Sequence, residues 1–237
     1  MRKLLLLFFA CLSVAQCQDV VLCVFFDLSQ SAQNVRAGYL SDFEKVVDGL
    51  AGGEHILGAG ITAQSLASGR FQIDETIPKY SPFTDSKLTY RKRLQNSQAA
   101  VKQDARKLLD GPAAPATDLM GAMQLAEKVF QSSGAVSAKT RLLIVFSDMV
   151  EDSARYNFQK ENLTPARVAA VVESERKAGR MPALKGVKVW VSGAGGSAPE
   201  RFLQIQDFWI QYFRAAGADL PRSRYGAGLM DFSIPHP

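Results

Sequence analysis

Histidine, tryptophan and cysteine are all scarce in this 237-residue chain, with two, two and three copies. With only His55 and His236, a nitrogen-rich transition-metal site cannot be assembled, and no histidine lies near the polar loops to act as a base. Three cysteines spread over the N-terminal tenth give no convincing disulfide, and Cys23 sits in an apolar run where a free thiol acts as a small hydrophobe. Charge of one sign is also weak: the net charge is +5, and Arg2 and Lys3 supply two of those charges. The remaining basic residues are dispersed, and Arg91-Lys92-Arg93 reads as a solvated helix start, so a nucleic-acid partner is not expected. No apolar run approaches the roughly 20 residues that span a bilayer.

What is present begins with Arg2-Lys3, the apolar run Leu4–Ala10 and the small residues Ser13-Val14-Ala15. That order predicts an export signal over residues 1–15 with cleavage after Ala15, and a protein acting in the periplasm or outside the cell. Val14-Ala15-Gln16-Cys17 resembles a bacterial lipobox, which makes Cys17 a candidate lipid attachment site and the only route to membrane anchoring. Gln16 stands where Gly, Ala or Ser is expected and argues against lipidation.

Strand and helix patterns alternate from residue 20. Val20–Phe26, His55–Ile61, Arg141–Phe146 and Val187–Val191 read as buried strands, and Phe71-Gln72-Ile73 as a short antiparallel edge strand. Between them run helical spacings: Val35, Tyr39, Phe43, Val46, Val47 and Leu50; then Leu94, Val101, Ala105 and Leu108; then Leu119, Met123, Ala126 and Phe130. Thr164-Pro165 starts another helix, and Ser197-Ala-Pro-Glu200 reads as a capping box before Phe202, Ile205, Trp209 and Phe213. Trp190 and Trp209 fall on apolar positions and read as core. Asp74–Thr89 reads as a long loop. The predicted architecture is a three-layer, doubly wound α/β fold with a mostly parallel sheet, over residues 19–217. Residues 218–237 form an extension with a last short strand around Tyr225–Met230. In such sheets ligands sit beyond the C-terminal strand ends.

Three oxygen-rich loops follow predicted elements: Asp27-Leu28-Ser29-Gln30-Ser31 directly after the first buried strand, Thr117-Asp118 between the second and third helices, and Ser147-Asp148 directly after the strand ending at Phe146. Alternate residues of an extended stretch share a side, so Asp27, Ser29 and Ser31 can converge. Carboxylates with hydroxyls suit Mg²⁺, Mn²⁺ or Ca²⁺ rather than zinc. Asp27-x-Ser29-x-Ser31, then Thr117, then Asp148, resembles the metal-ion-dependent adhesion site of von Willebrand factor type A domains. Thr117-Asp118-Leu119-Met120-Gly121-Ala122-Met123 is similar to a further segment of that family, with Met123 a departure. Met149 stands where the family often has Gly. The resemblance implies a Rossmann-like fold and one divalent cation, Mg²⁺ first. It implies that Ser29, Ser31 and Thr117 touch the metal while Asp27 and Asp148 act through water. It also implies a protein partner that supplies an acidic side chain.

Rival readings are weaker. Asp27 after a buried strand also resembles the aspartate of haloacid-dehalogenase-like hydrolases, but the second aspartate those enzymes want is Ser29 here, and no enzyme activity is expected. A metal-free structural role in an envelope or secretion assembly stays open. Gly193-Ala-Gly195-Gly196 lacks the Lys-Ser/Thr of a phosphate loop and reads as a plain turn. The acidic pair Glu151-Asp152 reads as a solvated loop.

Overall fold

The computed structural model describes residues 19–196 and 198–234. The signal segment with Ala15, the candidate lipid site Cys17, Ser197 and His236 lie outside the described residues.

Six strands form one sheet in the order β3-β2-β1-β4-β5-β6. They are β1 (Val20–Asp27), β2 (Glu54–Ile61), β3 (Ile73–Thr76), β4 (Thr140–Phe146), β5 (Lys188–Ser192) and β6 (Tyr225–Gly226). All neighbours are parallel except the antiparallel pair β2–β3. The central strand β1 has all eight residues buried, which is why its sequence is unbroken apolar up to Asp27. Its side chains alternate between two cores. Val21, Cys23 and Phe25 face α4 (Leu119–Phe130), α6 (Pro165–Lys177) and α7 (Pro199–Ala215). Leu22, Val24 and Phe26 face α1 (Arg36–Asp48) and α3 (Lys87–Leu109). Helices on both faces of a mostly parallel sheet give the three layers expected from the alternation. Two single-turn helices, α2 (Ser65–Ser68) and α5 (Ser133–Val136), fill connections.

One aromatic cluster lies directly beneath the loops of interest. Phe26 and Phe146 stack with centroids 5.1 Å apart, and Phe43 of α1 meets Phe26 edge-on at 5.1 Å. These rings fix the ends of β1 and β4 one residue before Asp27 and Ser147.

Several boundaries differ from the sequence reading. Val35 precedes α1 and is half exposed, because a short 3₁₀ turn (Gln33–Val35) intervenes and turns it off the buried face. The edge strand is shifted forward to Ile73–Thr76, so Asp74–Thr76 belong to β3 and Lys87–Thr89 to α3. The loop between them is correspondingly shorter. Ser86, not a residue further on, caps α3 by accepting from the Thr89 amide at 3.1 Å. Thr164 caps α6 as expected. At the start of α7 the cap position is Ala198, which makes no side-chain cap hydrogen bond, and Pro199 takes the first helical position; the capping-box serine, Ser197, lies outside the described residues. The last strand is only Tyr225–Gly226. Beyond it, Leu229, Phe232 and Ile234 pack on the α1 face, and Asp42 holds the segment by accepting from the Leu229 amide at 2.9 Å.

Candidate metal centre

Register brings two of the three loops together. Phe26 pairs with Phe146, so Asp27 and Ser147 leave adjacent strand ends side by side. The Asp27 carboxylate is fully buried. Its Oδ1 accepts from the Ser29 amide at 2.8 Å, and its Oδ2 accepts from the Ser147 hydroxyl at 2.6 Å. The Ser147 hydroxyl in turn accepts from the Met149 amide at 2.9 Å, so one serine ties Asp27 to the chain around Asp148. Ser29 and Ser31 do converge, with their hydroxyl oxygens 3.0 Å apart.

Thr117 reaches the same end of the sheet by its backbone. It exchanges two hydrogen bonds with Asp152, at 2.8 and 3.0 Å, and the Ala114 amide of the same loop donates to the Leu28 carbonyl at 2.7 Å. The Thr117 hydroxyl has no hydrogen-bond partner among the described residues. Asp118, the cap of α4, is structural: its two oxygens accept from the Gly121 amide at 2.9 Å and the Ser65 amide at 3.0 Å.

The electrostatics favour a cation. Burial pushes the Asp148 carboxyl up to about 6, and the nearby Asp27 charge adds to this, against the opposing Val150 amide. Among the described residues no lysine or arginine forms an ion pair with Asp27 or Asp148. Two phenols, Tyr39 of α1 and Tyr225 of β6, are buried with unpartnered hydroxyls. Burial raises both, and the Asp148 charge raises them further, with Asp27 adding to the effect on Tyr39. Among the described residues no group of three or more His, Cys, Asp or Glu could hold a metal ion. A cation here would therefore rest on two carboxylates with neutral hydroxyls, a hard-oxygen donor set.

Sequence reasoning missed three residues that shape this end. Ser147 stood in a flagged loop, but its bond to Asp27 depends on register. Arg36 is buried and donates to the carbonyls of Leu28, Leu109 and Gly111. Glu151 is the clearest correction: it is fully buried rather than solvated. Its Oε2 accepts from the Leu119 and Met120 amides at 2.8 and 3.1 Å, at the positive end of α4.

No family model and no curated protein matches the sequence. Solved structures do resemble it. A von Willebrand factor type A protein from Catenulispora acidiphila is similar over 84% of this chain and 43% of its own, at 15% identity and a TM-score of 0.48. The PilB minor pilin from Streptococcus sanguinis is similar over 85% of this chain and 56% of its own, at 11% identity and a TM-score of 0.50. The manganese-loaded TRAP protein of Plasmodium vivax aligns over 88% of this chain and 68% of its own, at 15% identity and a TM-score of 0.42. The likeness to the pilin, at a TM-score of 0.50, shows a shared fold, a mostly parallel α/β sheet with one antiparallel edge strand, and this architecture fits a Rossmann-like type A fold. The chain spans about half the length of the first two of these relatives.

Two positions singled out in the sequence, Met149 and Gly121, have physical explanations in the structure. Met149, where the family often has Gly, adopts φ 64°, a left-handed conformation that glycine accepts without cost. Its side chain is fully buried, and its carbonyl accepts from the Trp209 indole at 2.8 Å, so packing and a bond to α7 hold the strained residue. Gly121 is glycine for a steric reason: a Cβ there would stand 2.0 Å from Asp118 Oδ2. The α4 cap requires that the helix carry no side chain at this position.

Proposed function

We propose that this chain is a protein-binding module whose grip depends on one divalent cation, Mg²⁺ first, with Mn²⁺ or Ca²⁺ as alternatives. Asp27, Ser29, Ser31, Thr117 and Asp148 would hold it. The observation that carries this reading is the pair of carboxylates, Asp27 and Asp148, at adjacent strand ends with no basic partner among the described residues. Two converged serine hydroxyls follow Asp27 in the same loop, and Thr117 is held by its backbone at this end of the sheet. The cation supplies a hard positive centre for an anionic oxygen, which an aspartate or glutamate of a partner protein provides. The residues of this chain hold the donors in place. Ser147 orients Asp27, the Asp152 bridge fixes Thr117, and Glu151 and Asp118 fasten the start of α4.

Catalysis forms no part of this reading. His55, the only described histidine, bonds Asp74 at 2.7 Å across the β2–β3 edge, away from the serines. We place the protein outside the cytoplasm, on the strength of the basic start and apolar run of residues 1–15. Among the described residues no helix is long and apolar enough to cross a membrane.

The test is affinity capture from an envelope fraction with the immobilised chain. Capture is expected to require Mg²⁺, to fall at least tenfold with a chelator, and to fall equally for Asp27→Ala. A partner retained in chelator and by Asp27→Ala would leave the metal-free structural role in its place.

A further inference from the structure

The end of the sheet opposite the candidate cation loops carries an exposed apolar pair set in positive charge. Phe83 is 96% exposed and Leu88 79% exposed. Phe83 does not hang from a loose loop. It rides on a turn in which Ser81 O accepts from the Thr84 and Asp85 amides, at 3.3 and 2.9 Å, while Asp85 Oδ2 accepts from the Ser81 amide at 3.0 Å. The turn is braced to α3 by the Arg93–Asp85 ion pair at 2.5 Å and by the edge-on contact of Tyr80 with Tyr90 at 5.3 Å. Polar residues normally occupy such a tip, so a braced phenylalanine there has given up burial without structural return.

Leu88 lies in the first turn of α3, and Arg91 and Lys92 follow at i+3 and i+4 on its own face. Lys87 precedes it. A helix N-terminus carries partial positive charge, which disfavours basic residues, yet the first turn of α3 holds no acidic residue at all. Lys87, Arg91 and Lys92 are exposed and have no ion-pair partner among the described residues. Three acidic groups at this end are already engaged. Asp85 is held by Arg93, Asp19 by Lys79 and Lys139, and Glu54 by the Ala51 and Gly52 amides.

We propose that this pole docks on an anionic phospholipid bilayer. Phe83 and Leu88 enter the boundary between headgroups and acyl chains, and Lys87, Arg91 and Lys92 pair with lipid phosphates. Charge complementarity selects an anionic occupant, and two protruding apolar side chains suit a fluid surface. The point where residues 1–18 join the domain agrees: Asp19 is pinned at this same end by Lys79, the neighbour of the Tyr80–Asp85 turn. The orientation also has a consequence. The 23 residues of α3 run from this pole to the Arg36-bound carbonyl of Leu109, about 35 Å at 1.5 Å per residue, so docking turns the candidate cation loops away from the membrane. The inference does not depend on the metal reading.

The test uses the full chain carrying Phe83→Trp, in chelator, with vesicles whose acyl chains are brominated. The two native tryptophans, Trp190 and Trp209, are 5% and 0% exposed, so quenching reports the introduced indole. Quenching is expected on phosphatidylglycerol–phosphatidylcholine vesicles and not on phosphatidylcholine alone. Lys87, Arg91 and Lys92 changed together to Gln are expected to weaken vesicle binding at least tenfold, since each basic residue contributes roughly fivefold. Leu88→Ser is expected to weaken it as well. The absence of quenching on anionic vesicles overturns the proposal. So does equal vesicle binding by the triple variant, which would assign binding to residues 1–18. Retention on polyglutamate beads without quenching on vesicles would overturn it in favour of an acidic protein.

Discussion

Between pH 4.5 and 8, in chelator, Glu151→Gln is expected to gain stability over the wild type by about 1.4 kcal/mol for each pH unit. Burial pushes the Glu151 carboxyl up to about 8, with the Asp118 charge adding to it, and the Ser153 hydroxyl and the Met120 and Leu119 amides pull the other way without offsetting the loss of water. The ordinary value in the unfolded chain is 4.5. In that window the folded protein keeps a proton that the unfolded chain releases. Stability therefore falls as pH rises from the unfolded value toward the folded one, and the fall stops above it. Integrated over the window, the loss is on the order of 3–5 kcal/mol, a large share of a typical folding free energy. Glutamine keeps an acceptor for the two α4 amides and cannot ionise. Its NH₂ would occupy the place of Glu151 Oε1, which has no partner, and that cost does not depend on pH. Urea unfolding of both proteins at several pH values measures the difference. Parallel stability curves would show that the buried carboxyl titrates normally.

Arg36→Met is expected to destabilise the protein by about 4 kcal/mol, with Arg36→Lys intermediate. The guanidinium lies at the first position of α1, where its own helix disfavours a positive charge. It reaches instead to the C-terminal end of α3, donating to Leu109 O at 2.8 Å and Gly111 O at 2.9 Å, while its second nitrogen donates to Leu28 O. Leu109 O and Gly111 O are carbonyls that the end of α3 leaves without partners, whereas Leu28 O also accepts from the Ala114 amide. Methionine keeps the stem and its packing but strands the two carbonyls at the end of α3, and lysine can serve one of them. Leu28 lies between Asp27 and Ser29, so the same change is expected to weaken cation binding. Denaturant midpoints report the stability loss, and a change below about 1 kcal/mol would mean that water replaces the guanidinium.

The sequence made the fold legible where burial was two-sided. The unbroken apolar run of β1, the Thr164-Pro165 helix start and the spacing in α4 each follow from local chemistry that tertiary contacts do not override. The loops of the candidate site were legible because each follows a strand end or opens a helix. What was not legible depends on packing between distant segments. Glu151 reads as loop until the fold places it over the N-terminus of α4. Arg36 is an ordinary helix residue until α3 ends beside it. Ser147 gains its role only from the β1–β4 register. The start of α7 follows from a local constraint: Pro199 fixes the first helical position and puts Ala198 at the cap.

The central claim is that Asp27 and Asp148 share one cation. Calorimetric titration of Mn²⁺ into the full chain at pH 7.5 tests it most directly, with Mg²⁺ as competitor. The expected result is a single binding event, displaced by Mg²⁺ and weakened at least a hundredfold in both Asp27→Ala and Asp148→Ala. A wild type that binds no cation, or an Asp27→Ala protein that binds as the wild type does, would contradict it.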